Sequence, residues 1–209
     1  MRILIVDDHA VIRRGLIQIL LGEFPSATIG ECKDAEDAIV KTMKGEWDII
    51  ICDLAMPGQS GLEVVQHVKR NFSKTPVLIL SIHPERLYAV RALKAGAAGY
   101  MSKDAAPEEL VNAVHRLLLG RKYISAALAD QMADALNDGN IDKEPHESLS
   151  QREFDIFQLI ALGKPVSKIA EQLNISINTV STHRAKILQK MNMAMNADLT
   201  RYALEKKLI

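Results

Sequence analysis

Five short, nearly uninterrupted apolar runs punctuate the first 120 residues: Arg2–Val6, Ala27–Cys32, Asp48–Cys52, Pro76–Leu80 and Ala98–Met101. Continuous rather than alternating apolar character suits strands buried on both faces. Between the runs lie helical patterns. Ala10–Leu21 carries Val11, Gly15, Leu16, Ile19 and Leu20 at helical spacing, and Glu36–Met43 turns Ala38, Ile39 and Met43 inward. A third helix opens over Leu62–Val68, and Glu85–Ala95 is closed by Gly96. Pro107–Leu119 has proline in its first turn and Gly120 at its end. Strand and helix alternating five times predict an α/β fold, a doubly wound five-stranded parallel sheet with helices on both faces.

The pattern then changes. Residues 121–147 read as a partly helical linker, with one helix over Ser125–Leu136 and a polar, acidic stretch, Asn137–Glu147, interrupted by Gly139 and Pro145. From 148 to 209 helical signals return without strands. Ser150-Gln151-Arg152-Glu153 forms a capping box before an apolar helix with Phe154, Phe157, Leu159, Ile160 and Leu162, stopped at Gly163. Val166–Leu173 is a short helix with Ile169, Ala170 and Leu173 inward. A turn at Asn174-Ile175-Ser176 leads to Ile177–Met191, with Ser176 as its N-cap and Val180, Ile187 and Leu188 facing the core. Asn196–Lys206 is the last helix, and its Leu199, Ala203 and Leu204 form a candidate dimer interface. The expected domains are therefore 1–120, a linker over 121–147, and an all-α domain over 148–209.

Whole-chain charge names no partner, since 26 basic residues balance 26 acidic ones. By segment it is more telling: 1–120 is close to neutral, whereas 148–209 holds 9 basic and 5 acidic residues, a weak sign of nucleic acid. Cys32 and Cys52 lie in strands and read as buried thiols, with neither a disulfide framework nor a cysteine metal site implied. The start MRILIVDDH has no basic n-region or apolar h-region, and no apolar run approaches a membrane span, so a soluble cytoplasmic protein without membrane contact is expected.

Ligands of open α/β sheets bind beyond the carboxyl ends of the strands. Asp7 and Asp8 follow the first strand, Asp53 the third, Ser81 the fourth and Lys103 the fifth. Taken singly, each has an ordinary reading: an aspartate or serine after a strand caps a helix, and a lysine is solvated. Taken together, they bring three carboxylates, a hydroxyl and an ammonium to one edge. Clustered carboxylates suit a hard divalent cation such as Mg²⁺. Such a cation neutralises a phosphoryl group in transfer to a carboxylate, and lysine and serine hold its remaining oxygens.

VDD at 6–8, DLAMPGQSGLE at 53–63, SIH at 81–83 and AGAAGYMSKD at 95–104 resemble a response-regulator receiver domain of flavodoxin-like fold. The resemblance implies that Asp53 is the phosphoacceptor. It implies Mg²⁺ held by Asp7, Asp8, Asp53 and the backbone carbonyl of Ala55. Ser81 takes the switch position, Lys103 the phosphate-binding position, and Tyr100 that of a rotating aromatic. Where many receivers have proline after the lysine, in a cis peptide, this chain has Asp104.

Residues 149–193 are similar to the LuxR-type helix-turn-helix of NarL/FixJ response regulators. In such a motif the second helix enters the major groove. Its candidate DNA contacts here are Lys168, Asn178, Thr179, Ser181, Thr182, Arg184, Ala185, Lys186 and Lys190. Glu153 matches a buried structural glutamate. Relatives often carry Lys where this chain has Ser181, and some carry a basic residue at Ala185. The base contacts therefore differ, and phosphate contacts from Lys168, Arg184, Lys186 and Lys190 gain weight.

The implied function is a two-component transcription factor, not an enzyme beyond its own phosphoryl transfer and dephosphorylation. A sensor histidine kinase phosphorylates it, it pairs as a homodimer on phosphorylation or DNA binding, it binds double-stranded promoter DNA, and RNA polymerase is a further candidate partner. A phosphatase of the haloacid dehalogenase type needs a second acid two residues after the nucleophile, and that position is Ala55. A receiver acting without phosphorylation is disfavoured by the intact acidic set. RNA binding is disfavoured by the lack of an aromatic platform in the C-terminal domain.

Overall fold

The structure is a computed structural model that describes residues 1–137 and 144–209. By contacts the chain divides into two compact units, Met1–Gly139 and Asn140–Ile209.

In the first unit five parallel strands, β1 (Arg2–Val6), β2 (Thr28–Cys32), β3 (Ile49–Asp53), β4 (Val77–Ser81) and β5 (Gly99–Ser102), lie in the order β2-β1-β3-β4-β5. Between and after them run α1 (Ala10–Glu23), α2 (Ala35–Lys44), α3 (Gly61–Asn71), α4 (Glu85–Ala95), α5 (Pro107–Leu118) and α6 (Ala126–Asn137). The expected α/β class and strand count are those observed. Every residue of β3 and β4 is buried, as continuous apolar runs require. Ile3, Ile5, Ile49, Ile51, Leu78 and Leu80 share one core with Leu110, Val114 and Leu117 of α5.

Apolar periodicity misplaced several helix faces. In α2 the buried stripe is Ala35, Ala38 and Thr42, and Met43, one step of about 100° beyond Thr42, is exposed. Thr42 can be buried because its hydroxyl donates to the Ile39 carbonyl at 2.8 Å. In α1 Leu20 is buried and Leu16, Ile17 and Ile19 pack against the core, while Val11 is 82% exposed.

The expected linker begins as part of the sheet. Tyr123 forms a parallel bridge to Gly99, and the Tyr100 N–H donates to the Tyr123 carbonyl at 3.3 Å. A Cβ on Gly99 would sit 2.8 Å from that carbonyl, so glycine is needed for the approach. Tyr123 donates its hydroxyl to Glu109 at 2.6 Å. Ser125 donates its hydroxyl to Glu85 Oε2 at 2.6 Å and accepts the Leu128 N–H, capping α6. The expected linker residues 138–143 lie outside the described residues.

The second unit opens on a 3-10 turn (Pro145–Ser148), followed by α7 (Gln151–Ala161), α8 (Val166–Gln172), α9 (Ile177–Lys190) and α10 (Asn196–Glu205). The capping box at Ser150/Glu153 and the N-cap at Ser176 are both formed. Phe154, Phe157, Ile169, Val180, Ile187, Leu199 and Ala203 are buried together in this unit's interior. Leu162 is exposed, because it follows the last residue of α7, and Ile156 takes an inward place. Leu199 and Ala203 pack on α7, so of the three residues expected at a dimer interface only Leu204 is exposed. Among the described residues no peptide bond is cis, and no helix is long and apolar enough to cross a membrane.

Candidate functional site

The strand order reverses between β1 and β3, and the acidic residues gather at the carboxyl edge of that junction. Asp7 leaves β1 with its N–H donated to the Cys32 carbonyl at 3.1 Å. Asp53 ends β3 and lies in register with Leu80, while Ser81 ends β4. The Lys103 N–H donates to the Ser81 carbonyl at 2.9 Å, tying the end of β5 to that of β4. Behind Asp53 the first turn of α3 presses so closely that a Cβ on Gly61 would stand 2.1 Å from the Asp53 carbonyl oxygen.

Lys103 Nζ bridges two carboxylates, 2.6 Å from Asp7 Oδ2 and 2.7 Å from Asp53 Oδ2. The three side chains are only 7%, 1% and 4% exposed. The second oxygen of Asp53 accepts the Ala55 N–H at 3.2 Å. Burial pushes the Asp53 carboxyl above its ordinary value, and the Lys103 bond and charge pull it back only in part. For Lys103, burial works against the charge, but the bonds to Asp53 and Asp7 outweigh it and hold the ammonium above its ordinary value.

Asp8 Oδ1 is enclosed, and among the described residues no hydrogen-bond donor is aligned on it. The nearest group able to carry positive charge is His9 Nδ1 at 2.8 Å, which also stands 3.4 Å from Asp7 Oδ1. Ligand atoms of Asp7, Asp8, His9 and Asp53 all lie within 4.8 Å of one another. An enclosed acceptor without a donor, among hard oxygen ligands, fits a divalent cation. Sequence reasoning had Asp7, Asp8 and Asp53 but missed His9, although it directly follows the aspartate pair.

Tyr100 is already turned inward, 1% exposed, with its hydroxyl donating to the His83 carbonyl at 3.0 Å. A buried phenol needs such an acceptor. Tyr100, expected as a rotating aromatic, is packed inward in this structure. Ser81 Oγ accepts the His83 N–H at 3.0 Å, so Ser81 and Tyr100 hold the same short segment.

In the second unit α9 presents Asn178, Thr179, Ser181, Thr182, Ala185 and Lys186 to solvent, with Arg184 partly covered. Ser181 and Thr182 spend their hydroxyl protons on the Ile177 and Asn178 carbonyls at 3.0 and 2.9 Å. Arg184 donates to Asn196 at 2.6 Å, and Lys168 pairs with Glu171 on the surface at 2.8 Å. Lys190 is placed differently from the other cations. Its ammonium lies 2.6 Å from Glu153 Oε2, a buried carboxylate that also accepts the Ser150 N–H at 2.8 Å. Burial disfavours the Glu153 charge, yet these bonds hold its carboxyl below the usual range. His183 faces inward, and burial lowers its imidazole below the ordinary value.

Residues 3–115 match the response regulator receiver domain, and residues 147–203 match the bacterial regulatory proteins of the luxR family. Response regulator UvrY of Escherichia coli (strain K12) is 35% identical over 202 residues, covering 97% of this chain and 93% of its own. Oxygen regulatory protein NreC of Staphylococcus carnosus (strain TM300) is 36% identical over 215 residues, covering 100% and 99%. Among solved structures, RcsB of Salmonella enterica serovar Typhimurium, bound to promoter rprA in the presence of the phosphomimetic BeF3⁻, is 25% identical with a TM-score of 0.58 over 97% of this chain and 98% of that one. A second RcsB structure, with two dimers on two parallel DNAs, gives 25%, 0.57, and 97% of each chain. With its receiver and its LuxR-type DNA-binding domain, the chain belongs to the NarL/FixJ family of two-component response regulators and is a DNA-binding regulator of transcription.

Proposed function

We propose that Asp53 accepts a phosphoryl group from a sensor histidine kinase in the cytoplasm and that this controls promoter binding by α9. The observation that carries the reading is the Lys103 ammonium shared between Asp7 and Asp53 in a closed pocket at the sheet's switch point. Asp7, Asp8, Asp53 and the Ala55 carbonyl hold Mg²⁺, which when bound supplies charge neutralisation for an incoming phosphoryl group.

A carboxylate oxygen of Asp53 attacks phosphorus as the bond to the kinase's histidine breaks. Lys103 then exchanges the Asp53 carboxylate for a phosphoryl oxygen, and Ser81 donates to another. The modified side chain carries nearly two negative charges. Movement of Ser81 pulls the segment whose His83 carbonyl anchors Tyr100, so the change reaches the surface at the start of α4. The resulting state pairs as a homodimer, a reading supported by RcsB dimers on DNA. Asn178, Thr179, Ser181, Thr182 and Ala185 face base edges, Lys168, Arg184 and Lys186 face phosphates, and RNA polymerase is a further partner.

The test is incubation of wild type and Asp53→Asn with acetyl phosphate and Mg²⁺, followed by phosphoryl mass, oligomeric state and operator affinity. Wild type gains mass, dimerises and binds more tightly. Mass gain on Asp53→Asn sinks the site, and mass gain without a change in pairing or affinity sinks the switch.

A further inference from the structure

We infer that His9 is a nitrogen ligand of the receiver's cation, which makes this pocket favour first-row transition dications such as Mn²⁺ and Ni²⁺ through a contact that Mg²⁺ does not use. The inference rests on the cation site proposed above and concerns what that site selects.

His9 Nδ1 stands 2.8 Å from Asp8 Oδ1 and 3.4 Å from Asp7 Oδ1. Adjacent ligands of an octahedral ion bound at about 2.1 Å are about 3.0 Å apart, so the ring nitrogen and the two carboxylate oxygens are spaced as neighbours in one coordination shell. The shell-facing oxygen of Asp8 is open, and that of Asp7 keeps a lone pair beside the backbone N–H it accepts. Lys103 occupies the other oxygen of Asp7, and among the described residues Asp8 Oδ1 accepts no aligned hydrogen bond, with only the His9 ring nitrogen beside it. The His9 backbone N–H donates to Asp7 Oδ1 at 2.8 Å, which holds the residue at the pocket mouth. Its side chain is 63% exposed, so the ring reaches the pocket from the solvent side and packs no core.

Chemistry then decides which ion profits. Mg²⁺ takes oxygen ligands and retains water readily, and it gains little from an imidazole. Imidazole suits borderline transition dications, with affinity rising along the first row towards copper. The alternative is that His9, when protonated, only balances the two aspartates in the cation-free pocket.

The experiment uses the full chain and His9→Ala, each titrated with Mg²⁺, Mn²⁺ and Ni²⁺ by calorimetry, with electron spin-echo modulation recorded on the Mn²⁺ complexes. Wild type shows nitrogen modulation from a directly bound imidazole, and His9→Ala loses it. Ni²⁺ affinity falls about tenfold or more in the variant, while Mg²⁺ affinity stays within about twofold. Because the side chain is exposed, folding of the variant is expected, and circular dichroism checks it. Mn²⁺ binding without nitrogen modulation in wild type, or equal losses for Mg²⁺ and Ni²⁺, overturns the His9 assignment and leaves the cation site standing. Absence of binding by all three ions overturns both.

Discussion

Substituting alanine at Gly61 separates the space needed behind Asp53 from any general need for glycine. The added Cβ would stand 2.1 Å from the Asp53 carbonyl oxygen, 3.0 Å from its carbonyl carbon and 3.2 Å from Cys52 Sγ. Contacts under 3.0 Å to a Cβ are essentially never seen, and the atoms met are backbone, which has no rotamer in which to escape. To restore contact distance, the start of α3 and the end of β3 must part by about 1 Å, an overpacking strain of about 1–3 kcal/mol. A shift of about 1 Å in the nucleophile lowers a positioned reaction by about 100-fold. Gly15→Ala is the control. Its Cβ would meet nothing within 4 Å in α1, and it is expected to stabilise by about 0.5–1 kcal/mol. Urea unfolding followed through Trp47, the only tryptophan and a residue of the receiver, reads the stability of that unit alone. Labelling by acetyl phosphate reads the chemistry. Gly61→Ala that unfolds and labels as wild type does would refute the close packing of α3 on β3.

Asp53→Asn should unfold at higher denaturant than wild type at pH 7, because burial raises the Asp53 carboxyl in the folded state and its ionisation opposes folding. The sign follows from linkage: between the ordinary carboxylate value and the raised folded value the native state holds more protons, so wild type loses stability as pH rises, and the variant's advantage vanishes on acidification. Lys190→Met and Lys186→Ala should both weaken DNA binding but differ in salt dependence. Lys186→Ala flattens the log–log slope by about one unit, whereas Lys190→Met leaves the slope alone and destabilises the second unit by about 1–2 kcal/mol, a buried-pair loss reduced by solvent at Lys190. That loss should fade as pH falls through the depressed Glu153 carboxyl, which is stabilising only when ionised. Ser125→Ala should speed hydrogen exchange in the first turn of α6, since both its cap and its bond to Glu85 are lost, and unchanged protection there would count against the tie.

The receiver strands were legible because two-sided burial leaves no room for polar alternation, and the site was legible because strand ends converge wherever the sheet runs parallel. Helix faces were less so. Met43 and Val11 are apolar, yet a step of about 100° carries each outward, and Leu162 falls just past the end of α7; only packing partners reveal that. Lys190 resembles Lys186 in the sequence. What separates them is the buried Glu153, which lies 37 positions away in the chain and beside Lys190 in space. Tyr100 was assigned by pattern, but its inward position depends on the His83 carbonyl, which no pattern displays. The start of the linker was misread because a single bridging residue, Tyr123, leaves no periodic signal.

That bridging residue bears on how the receiver can be isolated. A fragment cut at 120, where the apolar pattern ends, would strip Tyr123 from β5 and leave the Tyr100 N–H without the carbonyl that receives it. A bare sheet margin beside a glycine invites pairing with another copy of itself, so such a fragment is prone to aggregate or to dimerise through an edge that Tyr123 covers in the full chain. Dimers seen with a receiver ending at 120 would then report on the cut and not on the phosphoryl group, whereas a receiver carried through 137 keeps its own edge closed.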